Sequence, residues 1–249
     1  AFYAAELNEL RDDLGVLCGR PIDDDALRRS IASYNENRRL VREVYAFRAA
    51  EPWKAPSPEV YMLMLAGMVV EVEEHSRLLV DYMDAARKEN RPRRDNTRVV
   101  VTGAFCEQPP LNLLKSIELA GCYIVDDDFM LVNRWEKSDI PLDGDPVGNL
   151  ARAYLHDSQS TAAKYEPSLK TKGLYLVEAV RRNRAEGVIF MAPSFCDPAL
   201  LERPMLQRVL AEHNVPYIAF KYAENSGQMT PIREQAGTFA DSIKLWSDA

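Results

Sequence analysis

The sequence predicts an α/β fold: a helical N-terminal region, then a doubly wound, four-stranded parallel sheet of order 2-1-3-4, flavodoxin- or Rossmann-like. Three observations predict it. Four short apolar runs, 98–102, 122–125, 188–192 and 217–220, read as strands, the first buried and the third, apolar at every position, buried on both faces. Segments of helical period separate them, which makes the connections helical crossovers and the strands parallel. Ahead of the first run, apolar residues recur only at helical spacing. The chain therefore divides into 1–95, a helical region and inter-domain linker, and 96–249, an α/β domain.

In 2–17, Leu7, Leu10, Leu14 and Leu17 recur at helical spacing, and Gly19-Arg20-Pro21 breaks the pattern. Asp23 to Asp25 cap the next helix, in which Leu27, Ile31, Tyr34, Leu40, Val41, Val44, Tyr45 and Phe47 follow the helical period to residue 48. The opposite face carries Arg28, Arg29, Arg38, Arg39, Arg42 and Arg48. Such a face is expected in solvent or in salt bridges, with an anionic ligand as the alternative. A proline-punctuated loop, 51–58, leads into a methionine-rich helical stretch, 59–88, with a break expected near Gly67. His75, among Glu73, Glu74 and Arg77, is expected on the surface. The polar, basic segment 89–96 marks the boundary.

Beyond it, the run 98–102 opens into Gly103-Ala-Phe-Cys-Glu-Gln-Pro-Pro110. A helix over 112–120 is stopped by Gly121, and the run 122–125 ends in Asp126, Asp127 and Asp128. Helical stretches over 129–135 and 147–155 flank a turn-rich 141–146. A helix over 173–185 precedes the run 188–192. Proline and serine end that run, Cys196 follows, and Asp197 and Pro198 are a good N-cap and first helical residue for 198–213. The run 217–220 and a closing helix, 232–246, complete the chain.

In open α/β sheets, ligands and chemistry gather at the carboxyl edge of the strands. Topology brings Cys106, Glu107 and Gln108 to that edge from the first strand and Asp126 to Asp128 from the second. The third delivers Ser194, Cys196 and Asp197, and the fourth Lys221, Tyr222, Glu224, Asn225 and Gln228. A cysteine facing a helix N-terminus is a ready thiolate ligand or nucleophile, although a free cysteine is also often buried for packing alone. Cys122 starts its strand at the opposite edge and reads as structural, and Cys18 reads as incidental. The three aspartates read as helix caps, with magnesium binding as the alternative. The sequence contains no GxGxxG, P-loop or nucleophile elbow.

Composition narrows the function classes. A net charge of −7 leaves no general basic surface for nucleic acid. Four widely spaced cysteines without a CxxC pair argue against a zinc ribbon, a thioredoxin motif and a secreted disulfide framework, so a reducing cytoplasm is expected. No signal peptide is evident and no apolar run is long enough to span a bilayer. Ala1 is not Met and 2–17 opens directly in helical pattern, which reads as a fragment or a processed chain.

Several motifs, in order, resemble the 2-hydroxyacyl-CoA dehydratase/benzoyl-CoA reductase family. They are Gly103-Ala-Phe-Cys-Glu-Gln-Pro-Pro110, Ala120-Gly-Cys-Tyr-Ile-Val-Asp-Asp-Asp-Phe129, Ser194-Phe-Cys-Asp-Pro198, Glu224-Asn-Ser-Gly-Gln228 and Ile232-Arg-Glu-Gln-Ala-Gly-Thr-Phe239. The segment 24–38 resembles the family's inter-domain helix, and the likeness covers essentially the whole chain. It is nearest to the iron–sulfur- and substrate-holding subunit of the benzoyl-CoA reductases, the B subunit.

The resemblance implies two related subunits, each carrying a [4Fe-4S] cluster on three cysteines, and a separate ATP-hydrolysing iron–sulfur activator that injects single electrons. The reductases reduce the ring of benzoyl-CoA to a cyclohexadiene thioester; the dehydratases form a ketyl radical and expel a hydroxyl. Cys196 matches the family's C-terminal cluster cysteine. Cys106 lies in the reductase-like motif as a ligand, a neighbour of the cluster or part of the substrate pocket, with Glu107 and Gln108 as polar contacts to the acyl-CoA. Family members carry an earlier α/β domain that supplies the other cluster cysteines, so this chain would be a C-terminal portion holding no complete cluster by itself. Glu107 and His156 are candidates for the proton donor. A non-catalytic, flavodoxin-like helper whose cysteines merely pack is the remaining alternative.

Overall fold

The computed structural model describes residues 1–103, 109–128, 138–157, 172–223 and 229–247. Helices α1 (Phe2–Leu17), α2 (Asp24–Ala50), α3 (Ser57–Ala66) and α4 (Val72–Lys88) precede β1 (Thr97–Thr102). Then come α5 (Leu111–Leu119), β2 (Cys122–Asp127), and α6 (Pro146–Arg152), which continues as a π-helical turn, Ala153–Asp157. The chain closes with α7 (Leu174–Arg182), β3 (Gly187–Pro193), α8 (Asp197–Glu212), β4 (Tyr217–Tyr222) and α9 (Met229–Ser247).

The sheet is all parallel with the predicted order β2-β1-β3-β4. The apolar runs of β1, β2 and β3 lack alternation because both faces are covered, whereas edge strand β4 is exposed at Tyr217 and Lys221. Val99 and Val101 of β1 face a core built with Leu113 and Ile117 of α5 and Ala236, Phe239 and Ala240 of α9. Val100 faces the other way, into a core with Leu176, Val177 and Val180 of α7 and Leu206, Val209 and Leu210 of α8. The first core does not stop at the sheet's own helices. It continues into Leu40, Val41 and Val44 of α2, Val60 and Met64 of α3, and Leu79 and Met83 of α4.

Polar groups tie the same elements together. Pro56 precedes α3 and offers its first turn no side-chain cap. The Ser57 N–H instead donates to Glu118 Oε1 of α5 at 2.9 Å, an acceptor from another element satisfying an orphan donor. Asp23 caps α2 as expected, accepting from the Ala26 N–H at 2.7 Å. The predicted break near Gly67 separates α3 from α4.

Two surface expectations are corrected. His75 is buried; its Nε2–H donates to the Leu63 carbonyl at 3.0 Å, and Nδ1 accepts from Asn37 Nδ2 at 2.9 Å. Neighbours one or two residues along a helix do not share its face. His75 instead lines up with the buried Leu79 and Met83, four and eight residues on. Arg48 is likewise fully buried, in line with Val41, Val44 and Tyr45 on the core side of α2. The rest of the basic face behaves as predicted in part: Arg28 pairs with Asp24 and Asp25, and Arg39 with Glu36 and Glu43.

Arg48 explains how β2, an edge strand, is buried at every position. Its Nη2 meets Asp127 Oδ2 at 2.6 Å, its guanidinium lies 4.4 Å from the centre of the Tyr45 ring, and the Tyr45 hydroxyl donates to Asp127 Oδ1 at 3.0 Å. Helix α2 thereby closes over the open edge of the sheet, which otherwise presents unpaired backbone groups.

Candidate functional site

β3 carries the edge described above to its functional end. All seven of its residues are buried, and its last residue, Pro193, pairs with Tyr222 of β4. Ser194 then holds the two strand ends together: its N–H and its hydroxyl both donate to the Tyr222 carbonyl, at 2.9 and 3.0 Å. The Cys196 N–H turns back to the Pro193 carbonyl at 3.1 Å, and the Cys196 carbonyl accepts from the Leu200 N–H at 3.0 Å. The helix therefore begins one residue earlier than predicted. Cys196 is its N-cap, with φ −84° and ψ 81°, and Asp197 is the acidic first-turn residue, favoured beside the positive end of a helix dipole.

Cys196 is only 6% exposed and packs with Ala192, Ala199 and Leu200, whereas Phe195 before it is 95% exposed. The tight turn drives the thiol inward and the phenyl ring outward. The thiol is thus buried at a helix N-terminus and a strand's carboxyl end, among apolar neighbours.

A second group at this edge is not predicted from sequence. Asp128, just past β2, accepts at Oδ2 from Thr102 Oγ1 at 2.6 Å and from the Tyr175 hydroxyl at 2.8 Å. Burial, and then the charge of Asp128, push the Tyr175 hydroxyl well above the ordinary phenol range, so it remains a donor. The available signal is a polar residue closing an apolar run, Thr102 in one strand and Asp128 in the next. The other aspartates also have partners in the fold. Asp127 is pushed up by burial and held by Arg48, while Asp126 accepts from Arg182 at 2.9 Å and Asn183 at 2.7 Å. The helix expected over 129–135 lies outside the described residues, as do Cys106, Glu107, Gln108, Glu224, Asn225 and Gln228.

The remaining cysteines are apart from the edge. Cys122 begins β2 at the amino edge, fully buried, and burial pushes its thiol up to about 12. Cys18 is exposed at the end of α1. His156 is exposed on the π-helical turn. Among the described residues no group of three or more histidine, cysteine, aspartate or glutamate side chains is positioned to hold a metal ion. The described residues thus fit a thiolate-held cluster with one ligand, Cys196, and not with a full set. Among them, no helix is long and apolar enough to cross a membrane.

Comparison with known proteins gives the family of the chain. The family model described as 2-hydroxyglutaryl-CoA dehydratase, D-component, matches residues 1–243. Over 246 residues the chain is 65% identical to the C subunit of benzoyl-CoA reductase from Thauera aromatica, covering 99% of this chain and 64% of that protein. It is 25% identical to the (R)-phenyllactyl-CoA dehydratase beta subunit of Clostridium sporogenes, over 93% of this chain and 61% of that one. It is 23% identical to the beta subunit of (R)-2-hydroxyglutaryl-CoA dehydratase from Acidaminococcus fermentans, over 95% and 62%. The reductase relative is the C subunit, where the motifs point to the B subunit. The chain spans a little under two thirds of the length of these relatives. With a family model matched over nearly its whole length, the chain belongs to the 2-hydroxyglutaryl-CoA dehydratase D-component family.

Proposed function

We propose that this chain is part of an iron–sulfur subunit of an ATP-dependent, benzoyl-CoA reductase-type enzyme that passes low-potential single electrons to an acyl-CoA thioester and dearomatises its ring. The observation that carries the reading is the buried Cys196 thiol at the carboxyl edge, in a chain 65% identical to one of the subunits of a benzoyl-CoA reductase. Cys196 is one ligand of a [4Fe-4S] cluster, with Cys106 a second ligand or part of the pocket wall. The remaining thiolates come from parts of the protein outside this chain. When bound, such a cluster supplies one-electron chemistry at low potential.

The α/β part, 96–249, does the holding. The Ser194 and Pro193 contacts fix the turn that presents Cys196. Glu107 and Gln108 contact the acyl-CoA. A homologous second cluster subunit and an ATP-hydrolysing iron–sulfur activator complete the cytoplasmic assembly.

The names of the more distant relatives favour a second reading, redox-neutral dehydration of a 2-hydroxyacyl-CoA. Anaerobic assay of the full-length protein with its partner subunits separates the two: ring reduction consumes electrons and dehydration does not. Iron and acid-labile sulfide in near-equal amounts, lost on Cys196→Ser, support the cluster assignment. Undiminished iron in that variant removes it, and absence of iron in every assembly leaves the helper reading.

A further inference from the structure

On the α2 side of the sheet a cavity of about 880 Å³ lies between α2, the start of β1, Val125 and Asp126 of β2, and the end of α7. That volume is within the range of small-molecule sites, about 300–1,000 Å³. Arg38, Arg42, Arg93, Arg98, Arg182 and Arg184 line it, in a chain whose net charge is −7. Among the described residues Asp126 is the one carboxylate in the wall, and it is already held by Arg182 and Asn183.

Arg38 donates to Asn35 Oδ1 at 2.5 Å, and the other five arginines divide into two groups. Arg182 pairs with Asp126, and Arg42 with Asp139 at 2.8 Å. Arg93, Arg98 and Arg184 form no ion pair with a described carboxylate. Arg98 is held rigidly by neutral acceptors: Nε donates to the Arg184 carbonyl at 3.0 Å, and Nη2 donates to the Ala49 and Asn183 carbonyls at 2.5 and 2.6 Å. Those contacts orient the guanidinium without neutralising it. Burial depresses its pKa; Glu186 opposes this, and the charges of Arg184 and Arg93 add to it, so the three cations feel one another. Arg93 also lies over Trp53, 5.1 Å from the ring centre, and Trp53 forms part of the wall.

We propose that this cavity binds a phosphate-bearing ligand of the nucleoside diphosphate class, held by Arg93, Arg98 and Arg184, with Trp53 as its aromatic wall. A terminal phosphate carries about −1.5 to −2 charge, so a diphosphate matches the three unneutralised arginines where a single carboxylate does not. The planar, bidentate fork of arginine suits phosphate oxygens better than a point charge would. Two sources share this chemistry: a free adenine nucleotide and the adenosine diphosphate end of CoA. The second rests on the acyl-CoA function proposed above; the site itself does not.

The test is calorimetric titration of the full-length protein, in its purified assembly, with pyrophosphate, ADP and CoA, with benzoate as a lone-carboxylate control. Arg93 and Arg184 are exposed, so the Arg93→Gln/Arg184→Gln double variant is expected to keep the wild-type Tm and iron content. ADP is expected to bind, more weakly as salt is raised, and at least tenfold more weakly in the double variant. CoA binding tighter than ADP, with both weakened in the variant, assigns the site to CoA; equal affinities assign it to the free nucleotide. Failure of all three phosphates to bind, or unchanged affinity in a double variant of unchanged Tm, overturns the proposal. None of these readings needs turnover or a cluster, so loss of the iron–sulfur reading would leave them intact.

Discussion

Asp127 of β2 meets Arg48 of α2 at 2.6 Å, with neither side chain exposed at all. The pair joins the helical part of the chain to the edge of the sheet. Burial raises the carboxyl's pKa and Arg48 opposes that rise, so each charge depends on the other. Removing one partner leaves an uncompensated buried charge, which costs about 3–5 kcal/mol. Asp127→Ala is therefore expected to lower stability by that amount in urea unfolding. The Arg48→Met/Asp127→Leu double variant should lose much less than the single one. Equal losses would mean that packing, not charge, sets the energetics here.

His75 gives stability a pH dependence of known sign. Burial lowers its pKa below the ordinary 6.5, opposed by the hydrogen bond to Leu63. The unfolded chain then binds the proton more readily than the fold does. The contribution is complete above about pH 6.5 and declines as the pH falls from there toward the lowered native value. The slope is at most about 1.4 kcal/mol per pH unit. Urea midpoints from pH 8 to 5 should show it, and His75→Gln should flatten that segment relative to wild type.

Gly103 ends β1 in the left-handed region, φ 111°, and a Cβ there would stand 2.9 Å from the Met191 carbonyl oxygen of β3. Gly103→Ala is expected to cost about 1–3 kcal/mol, from backbone strain and a forced shift of the neighbouring strand. The same strand shift should reach the Cys196 turn. Thermal melts and the iron content of the assembled enzyme, measured together, would show whether the two losses go together.

The cysteines should separate by reactivity in the native protein. Iodoacetamide near neutral pH is expected to label the exposed Cys18 and to spare Cys122, which is buried with its thiol pushed up to about 12. Mass spectrometry after unfolding should recover Cys122 unmodified and newly reactive. Cys122→Ser should leave iron content unchanged, in contrast to the loss expected for Cys196→Ser.

What is legible in the sequence follows physical lines. β1 and β3 are legible because a strand buried on both faces must be apolar throughout, and their order follows from helical crossovers. β2 reads two residues short because Asp126 and Asp127 look like the end of an apolar run, and it is Arg48 and Tyr45, with Arg182 and Asn183, that make carboxylates tolerable inside it. Arg48 and His75 mislead because a charged or titratable residue on a core stripe signals itself only through partners distant in sequence. Cys196 stands out because turn, thiol and helix start are contiguous. The Asp128–Thr102–Tyr175 group does not, since its three members come from separate elements.

The N-terminal helices are finished by residues made long after them. Arg48 waits 79 residues for Asp127, Ser57 waits 61 for Glu118, and Asn35 waits 105 for the Ile140 carbonyl. At a synthesis rate of about 5–20 residues per second, the Arg48 charge stands without its partner for roughly 4–16 s on the ribosome. Helices α2 and α3 are thus made well before the residues that complete them. Until the later strands follow, the apolar sides of α2 to α4 lack the sheet that covers them in the finished fold, which gives a chaperone a surface to hold.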